Sequence, residues 1–245
     1  MRAPEILVVI PARGGSRRVP LKNIAPVAGR PSLAHAVDAL REATTALRCV
    51  LLTDHPRIAA IARDLGLEVL DEPSELATDD SVDEATLIHY ALERTETPGR
   101  PFRHVLLHYA CVPIRPPGIV DAMVRFLDDT GAEFVQTAAA ANPHHHPYRC
   151  VTPQPNGRMT DFVPGASQLM SQDYPAVFFR TAAGVGLRRD TLTKSPAISD
   201  PNRPVDRCCL IHAEDECVDI DEPRDIMWAE FLLQCKAQRI SGKRP

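Results

Sequence analysis

Short apolar runs alternate with amphipathic stretches along most of the chain. Residues 6–10 (ILVVI), 49–53 (CVLLT), 67–70 and 104–108 (HVLLH) have the length and continuity of strands buried on both faces. Between the first two, residues 31–43 carry Leu33, Ala34, Val37 and Leu40 at helical spacing behind a first-turn proline, Pro31. A second helix is expected over 57–65, opened by Asp54-His55-Pro56 and stopped by Gly66. A third is expected over 82–93, opened by Thr78-Asp79-Asp80-Ser81, with Ala85, Leu87, Ile88 and Leu92 on its apolar side. Residues 118–129 predict a fourth, followed by a strand at 133–137. This β-α-β order predicts an α/β fold: a doubly wound, mostly parallel Rossmann-like sheet with ligands at the carboxyl ends of its strands.

The pattern loosens in three places. Residues 95–103 read as a Pro/Gly linker, and 109–117 hold too much proline for regular structure. From 141 to 175 the periodicity gives way to proline, glycine and polar residues. That predicts a small inserted lobe within a domain built from 1–140 and 176–240, with 241–245 as a disordered tail. Regular patterning returns at 176–179, at 184–187 and in a final acidic strand, then in a closing helix at 223–235 that buries Ile226, Ala229, Phe231 and Leu232. The lobe's His144, His145 and His146 read as a polar loop rather than a metal site. Consecutive residues rarely converge on one ion, and no Cys or His stands at ligand spacing nearby.

Composition narrows the class. The 245 residues suit one α/β domain, and 44% apolar with 24% charged residues is a soluble globular balance. A formal charge of −4 argues against a polyanion footprint, so no nucleic-acid partner is expected. No apolar run is long enough to span a membrane, and Pro11 and Arg13 interrupt any leader-like hydrophobic region. Seven cysteines without a CxxC pair predict reduced thiols in a cytoplasm.

Two motifs carry chemistry. The first is ILVVIPARGGSRRVPLKN, residues 6–23. It is a strand emptying into a loop with Arg13, Gly14, Gly15, Ser16, Arg17, Arg18 and Lys22. Glycines let backbone N–H groups approach an anion closely and the cations neutralise it, which suits a phosphate. The loop is neither GxxxxGK[ST] nor GxGxxG, and solvated charges on an ordinary loop are the plainer reading. The second motif is Val218-Asp219-Ile220-Asp221, followed by Glu222 and Asp225. Strand alternation places Asp219 and Asp221 on one face. Two such carboxylates beside a triphosphate loop suit Mg²⁺, which takes oxygen ligands and substrate phosphates; strand-end or helix-cap acids are the alternative.

Together these strings resemble the sugar-acid cytidylyltransferases, the CMP-sialic acid synthetase family with its pseudaminic and legionaminic acid relatives. The family's usual I-P-A-R-G-G-S-K-x-[IL]-P-x-K-N is matched here except at Arg17. Asp219-Ile220-Asp221 resembles its D-[IV]-D-x-x-x-D metal motif. Tyr109-Ala110-Cys111-Val112-Pro113 resembles Y-A-T-A-P, and Ser171-Gln172-Asp173-Tyr174-Pro175 resembles S-Q-D-x-P. Glu72-Pro73-Ser74-Glu75-Leu76-Ala77 with Asp79-Asp80 resembles R-P-x-E-L-[AS]-x-D. The likeness runs from about residue 6 to residue 233 and is strongest at its two ends.

The resemblance implies a nucleotide-diphospho-sugar transferase fold whose inserted lobe contacts sugar and a second copy, making a homodimer. It implies attack of an anomeric hydroxyl on the α-phosphorus of CTP, with Mg²⁺ as cofactor. Arg13, Lys22, Asp219 and Asp221 would be catalytic, the two aspartates as metal ligands. CTP would also meet Ala12, Gly14, Gly15, Ser16, Arg17, Asn23 and Asp80. His108, Tyr109, Gln172 and Asp173 would meet the small acidic, sugar-like acceptor. The chain departs from the family at Glu72, where arginine is usual, at Met170, also usually arginine, and at Thr181-Ala182-Ala183, usually polar. Two further readings stay open: the same transfer onto another nucleophile, such as a phosphonate or other small acid, and a catalytically silent nucleotide-binding protein.

Overall fold

Residues Ile6 to Ile10 of strand β1 (Ile6–Pro11) are wholly buried, because both faces of the sheet around them are covered. The computed structural model describes residues 5–73, 76, 84–194 and 206–240. β1 lies between two parallel neighbours, β4 (Leu47–Thr53) and β6 (His104–Leu107), and β5 (Glu68–Asp71) continues the parallel sheet beyond β4. On the other side β10 (Phe178–Arg188) pairs antiparallel with both β6 and β7 (Phe134–Ala140), and β11 (Arg207–His212) lies parallel to β7 at the edge. The order is β11-β7-β10-β6-β1-β4-β5 in a 7-stranded, mostly parallel α/β sheet. Two small ribbons complete the strands: β2 (Pro26–Val27) with β3 (Arg30–Pro31), and β8 (Val151–Pro153) with β9 (Met159–Asp161).

Alternation along β1 serves two cores. Ile6, Val8 and Ile10 pack with Leu33 and Val37 of α1 (Ser32–Arg41), Ile58 of α2 (Pro56–Asp64) and Met123 of α4 (Ile119–Thr130). Leu7 and Val9 face the other way, onto Ala85, Ile88 and Leu92 of α3 (Glu84–Thr95). A third cluster lies beneath the strand ends. Val19 and Val27 of the first loop region, Val112 and Ile114, Val218 and Ile220, and Ala229 and Leu232 of α6 (Pro223–Ile240) meet there. Each buried aliphatic side chain stabilises the fold by about 1.5–3 kcal/mol, so this cluster fixes three distant segments against one another. α5 (Arg189–Lys194) follows β10 directly. Among the described residues no helix is long and apolar enough to cross a membrane.

Several local expectations change. The expected strand at 218–221 is reduced to a single bridge between Val218 and Ile114, although Val218 and Ile220 still alternate inward. The last strand is β11, at the sheet edge, where the short apolar run Cys208-Cys209-Leu210-Ile211 stays only half buried. The two runs at 176–179 and 184–187 join into β10, interrupted by a register shift between Arg180 and Val185. His55, not Asp54, caps α2, its Nδ1 accepting from the Arg57 N–H at 3.2 Å. The opening of the third helix at 78–83 and the tail at 241–245 lie outside the described residues. The stretch 141–175 holds β8, β9 and three short 3₁₀ turns, with Met159, Phe162 and Met170 exposed. His146 is buried there, its ring stacked on Tyr174 at 4.8 Å and its Nε2 3.0 Å from the Pro175 carbonyl.

One buried carboxylate ties the α1–β4 turn to α4. Asp121 accepts from the N–H and hydroxyl of both Thr44 and Thr45, at 2.7–3.1 Å. Burial pushes its pKa up, but these bonds outweigh that and hold it at about 2. The unfolded chain therefore takes up the proton first as pH falls. This contribution, of order ~2 kcal/mol, is complete above about pH 4 and gone below about pH 2. Asp121→Ala is expected to lower stability by about 2–3 kcal/mol at pH 7, seen as a lower urea midpoint with unchanged slope. The deficit should shrink towards pH 2.

Candidate active site

The loop after β1 is held by its neighbours and by internal bonds, among them the Ser16 N–H to the Gly14 carbonyl at 3.0 Å. The Ala12 N–H donates to the Leu52 carbonyl at 2.9 Å, and the Ala12 carbonyl accepts from Thr53 Oγ1 at 2.7 Å. Asn23 Nδ2 donates to the Arg13 carbonyl at 3.0 Å, closing the loop from its far end. Gly14 donates its N–H to Asp54 Oδ1 at 2.7 Å. A side chain at Gly14 would meet His55 Cβ at 2.9 Å, so only glycine fits between the loop and the start of α2.

The loop borders a cleft of about 480 Å³ lined by Arg13, Gly15, Ser16, Arg17, Arg18, Lys22 and Asn23 on one side. Glu72, Leu76, Glu84, Leu87, Tyr109, Cys111 and Asp221 complete the wall. Four cations crowd its basic side, which is the charge complement a polyphosphate requires.

Asp221 is paired directly with the cations of this loop, and Asp219 lies beside them. Lys22 Nζ lies 2.8 Å from Asp221 Oδ1, and Arg18 Nη2 lies 3.4 Å from the same oxygen. The hydrogen bond from Lys22 holds the Asp221 carboxyl below its ordinary range. Burial lowers the Lys22 pKa, but Cys111, Asp221 and Asp219 more than offset it and leave it raised. Asp219 is the opposite case: burial raises its pKa, only partly countered by the Cys111 thiol and Lys22. Its Oδ1 is buried without a hydrogen-bond partner among the described residues. Asp225 accepts from the N–H groups of both Asp221 and Glu222, at 2.9 and 2.7 Å, and so fixes the turn into α6.

Among the described residues no group of three or more His, Cys, Asp and Glu could hold a metal ion. Mg²⁺ needs fewer: one or two carboxylates beside substrate phosphates and water. A charged Asp221 and an Asp219 with a vacant buried oxygen fit that donor set.

The floor of the cleft is the 109–115 segment. Ser32, first residue of α1, donates through Oγ to the Ala110 carbonyl at 2.8 Å. Arg115 is buried and donates to three carbonyls: Ala183 at 3.0 Å, Val112 and Tyr109. Burial lowers its pKa to about 10, so it stays charged at neutral pH. Tyr109 donates its hydroxyl to Glu84, and burial with that carboxylate raises its pKa strongly. Burial pushes the Cys111 thiol up to about 12.

The structure thus gathers Arg13, Gly15, Ser16, Arg17, Lys22, Asn23, Tyr109 and Asp221 on one cleft, with Asp219 coupled to Lys22 and Asp221 beside it. Gly14 is corrected from phosphate donor to packing position, since its N–H already serves Asp54. Ala12 lies beneath the loop, buried. His108 is corrected too: it is buried with Nε2 2.9 Å from the Ala36 carbonyl, a core histidine that burial keeps neutral. Gln172 and Asp173 sit in an exposed 3₁₀ turn and do not line the cleft. Asp80 lies outside the described residues. Arg115 escaped the sequence, while Asp54 and Asp225 were visible there only as a helix opener and as a further acid of the second motif. Arg115 had a faint signal, a lone arginine among prolines in a segment expected to be irregular.

An α/β sheet with a basic Gly-rich loop bordering a cleft, its cations paired with Asp221 and with Asp219 beside it, suits a nucleotidyltransferase, and this chain is one. Residues 7–97 match the family model described as Cytidylyltransferase. Over 242 residues, 96% of this chain and 99% of the relative, it is 27% identical to the CMP-N,N'-diacetyllegionaminic acid synthase of Legionella pneumophila. It is 29% identical to the pseudaminic acid cytidylyltransferase of Campylobacter jejuni over 108 residues, 44% of this chain and 47% of that one. A 3-deoxy-manno-octulosonate cytidylyltransferase of Anaeromyxobacter is 41% identical over 75 residues, 30% of this chain and 31% of the relative. In fold, the chain superposes on a CMP:2-keto-3-deoxy-manno-octonic acid synthetase complexed with CTP. That match has a TM-score of 0.72 and 15% identity and covers 95% of this chain and 99% of the other.

Proposed function

We propose that this chain transfers CMP from CTP to the anomeric hydroxyl of a nonulosonic acid and releases pyrophosphate. The observation that carries the substrate class is extent. The match to the CMP-N,N'-diacetyllegionaminic acid synthase spans 242 residues, whereas the 3-deoxy-manno-octulosonate matches span 62 to 75. Arg13, Arg17, Arg18 and Lys22 neutralise the triphosphate and hold it along the loop. The acceptor oxygen bonds to the α-phosphorus as the bond to the bridging oxygen breaks. Pyrophosphate leaves against the same cations, and the hydroxyl proton passes to solvent. Such a transfer depends on positioning and charge more than on covalent chemistry. Asp219 and Asp221 would hold Mg²⁺, which when bound supplies charge neutralisation and acidifies the attacking hydroxyl.

Gln172 and Asp173 lie off the cleft of their own chain, and Met159, Phe162 and Met170 expose apolar surface on the same lobe. Both features support a homodimer, which sedimentation would register as twice 26.9 kDa.

A second reading, the same transfer onto a different small acid, is favoured by Met170, where an apolar side chain stands in place of the arginine usual in the resembling family. One experiment separates the two. Pyrophosphate release from CTP with Mg²⁺ is measured across legionaminic, pseudaminic, sialic and 3-deoxy-manno-octulosonic acids, with ATP, GTP and UTP as controls. Release with one nonulosonic acid and CTP alone is expected. Release with none of them, despite CTP binding, supports the other acceptor. A chain that binds no CTP is no cytidylyltransferase.

A further inference from the structure

Glu72 follows β5, its N–H donating to the Thr53 carbonyl at 3.0 Å. The residue is 8% exposed and lines the cleft, yet its Oε2 has no hydrogen-bond partner among the described residues. A buried carboxylate oxygen left unpaired carries a desolvation penalty that a ligand donor can relieve.

Different charges surround Glu72 and the Asp219–Asp221 pair. Glu72 is coupled electrostatically to Asp54 and Arg13, while Asp219 and Asp221 are coupled to Lys22, Arg18 and Arg115. Transfer at the α-phosphorus belongs to the Asp219–Asp221 pair, and the acceptor must reach it there. A carboxylate repels a triphosphate, so Glu72 faces the uncharged part of the nucleotide. Leu76 and Leu87, which line the same cleft, offer apolar walls suited to a flat ring.

We propose that Glu72 is the residue that reads the nucleobase, accepting a hydrogen bond from its exocyclic amino group. Cytosine presents that amine, and uracil presents a carbonyl oxygen at the same position, which a carboxylate rejects. Arg13 acts on Glu72 electrostatically without supplying the missing donor to Oε2. The assignment rests on the proposed use of CTP.

Equilibrium binding of CTP and UTP to the wild-type chain, Glu72→Gln and Glu72→Leu tests it, with acceptor KM measured alongside. The wild type is expected to favour CTP over UTP by at least about tenfold. Glutamine can accept from cytosine or donate to uracil, and leucine can do neither, so both variants should bring the ratio close to one. UTP affinity in each variant is the internal control, since a general structural defect would weaken both nucleotides. An unchanged ratio in the variants overturns the proposal. So does an equal loss for both nucleotides, which would move Glu72 to the ribose hydroxyls. Unchanged CTP affinity with a raised acceptor KM overturns it as well and assigns Glu72 to a donor on the acceptor. A wild type that binds no CTP at all defeats the transferase reading itself, and this one with it.

Discussion

Asp219→Asn is expected to slow pyrophosphate release by about 10²- to 10³-fold while leaving CTP bound, the loss typical of removing one preorganised charge from a transfer site. The substitution keeps the side chain's size and removes only its charge. Asp219 Oδ1 is buried with no hydrogen-bond partner among the described residues, but its charge offsets Lys22 and the buried Arg115, which the substitution leaves less balanced. Relief of a desolvated carboxylate and loss of that balance oppose each other, so stability should stay within about 1 kcal/mol of the wild type. Asp221→Asn differs, because Asp221 balances Lys22 at 2.8 Å and Arg18 at 3.4 Å. Its loss frees both cations to hold the nucleotide, so turnover falls while CTP affinity holds or rises. Steady-state release, CTP binding and the Mg²⁺ concentration for half-maximal rate separate the two variants. Full turnover by Asp219→Asn would remove it from the site.

What the sequence disclosed follows from how locally each feature is encoded. β1, β4 and β6 were legible because parallel strands buried on both faces leave continuous apolar runs. β11 was not, since its apolar run from Cys208 to Ile211 is short and only half buried at the sheet edge. β10 was split in two by the shift at Arg180/Val185, where the chain breaks its period. The basic loop and the Asp219–Asp221 pair were visible as short strings. Their meeting through Lys22, 199 residues from Asp221, depends on the third core cluster, which no local pattern announces. His108 misled because it adjoins Tyr109 in the string while its side chain turns under α1 towards Ala36. Gly14 misled in the same way: a glycine in a phosphate-type loop can serve the approach of His55 as well as that of an anion.

Arg115 shows the largest gap between sequence and structure, and its replacement carries the largest expected loss of stability. Its guanidinium ties the floor of the cleft, at Tyr109 and Val112, to Ala183 in β10. A planar fork can serve all three carbonyls at once, which an ammonium point charge cannot. Arg115→Met keeps only the apolar stem of the side chain and leaves the Val112 and Ala183 carbonyls without the guanidinium, and Tyr109 with the Val112 N–H alone at 3.3 Å. It also removes a cation that offsets the Asp219 charge. The expected cost is about 3–5 kcal/mol, read as a fall in the urea midpoint. Arg115→Lys should recover only part of it. Because Tyr109 and Cys111 line the cleft, surviving Arg115→Lys protein should also turn over more slowly, with kcat falling more than CTP affinity. If Arg115→Met instead matches the wild type within about 1 kcal/mol, the floor is held by Ser32 and the apolar cluster alone. Arg115 would then be a passenger in the core.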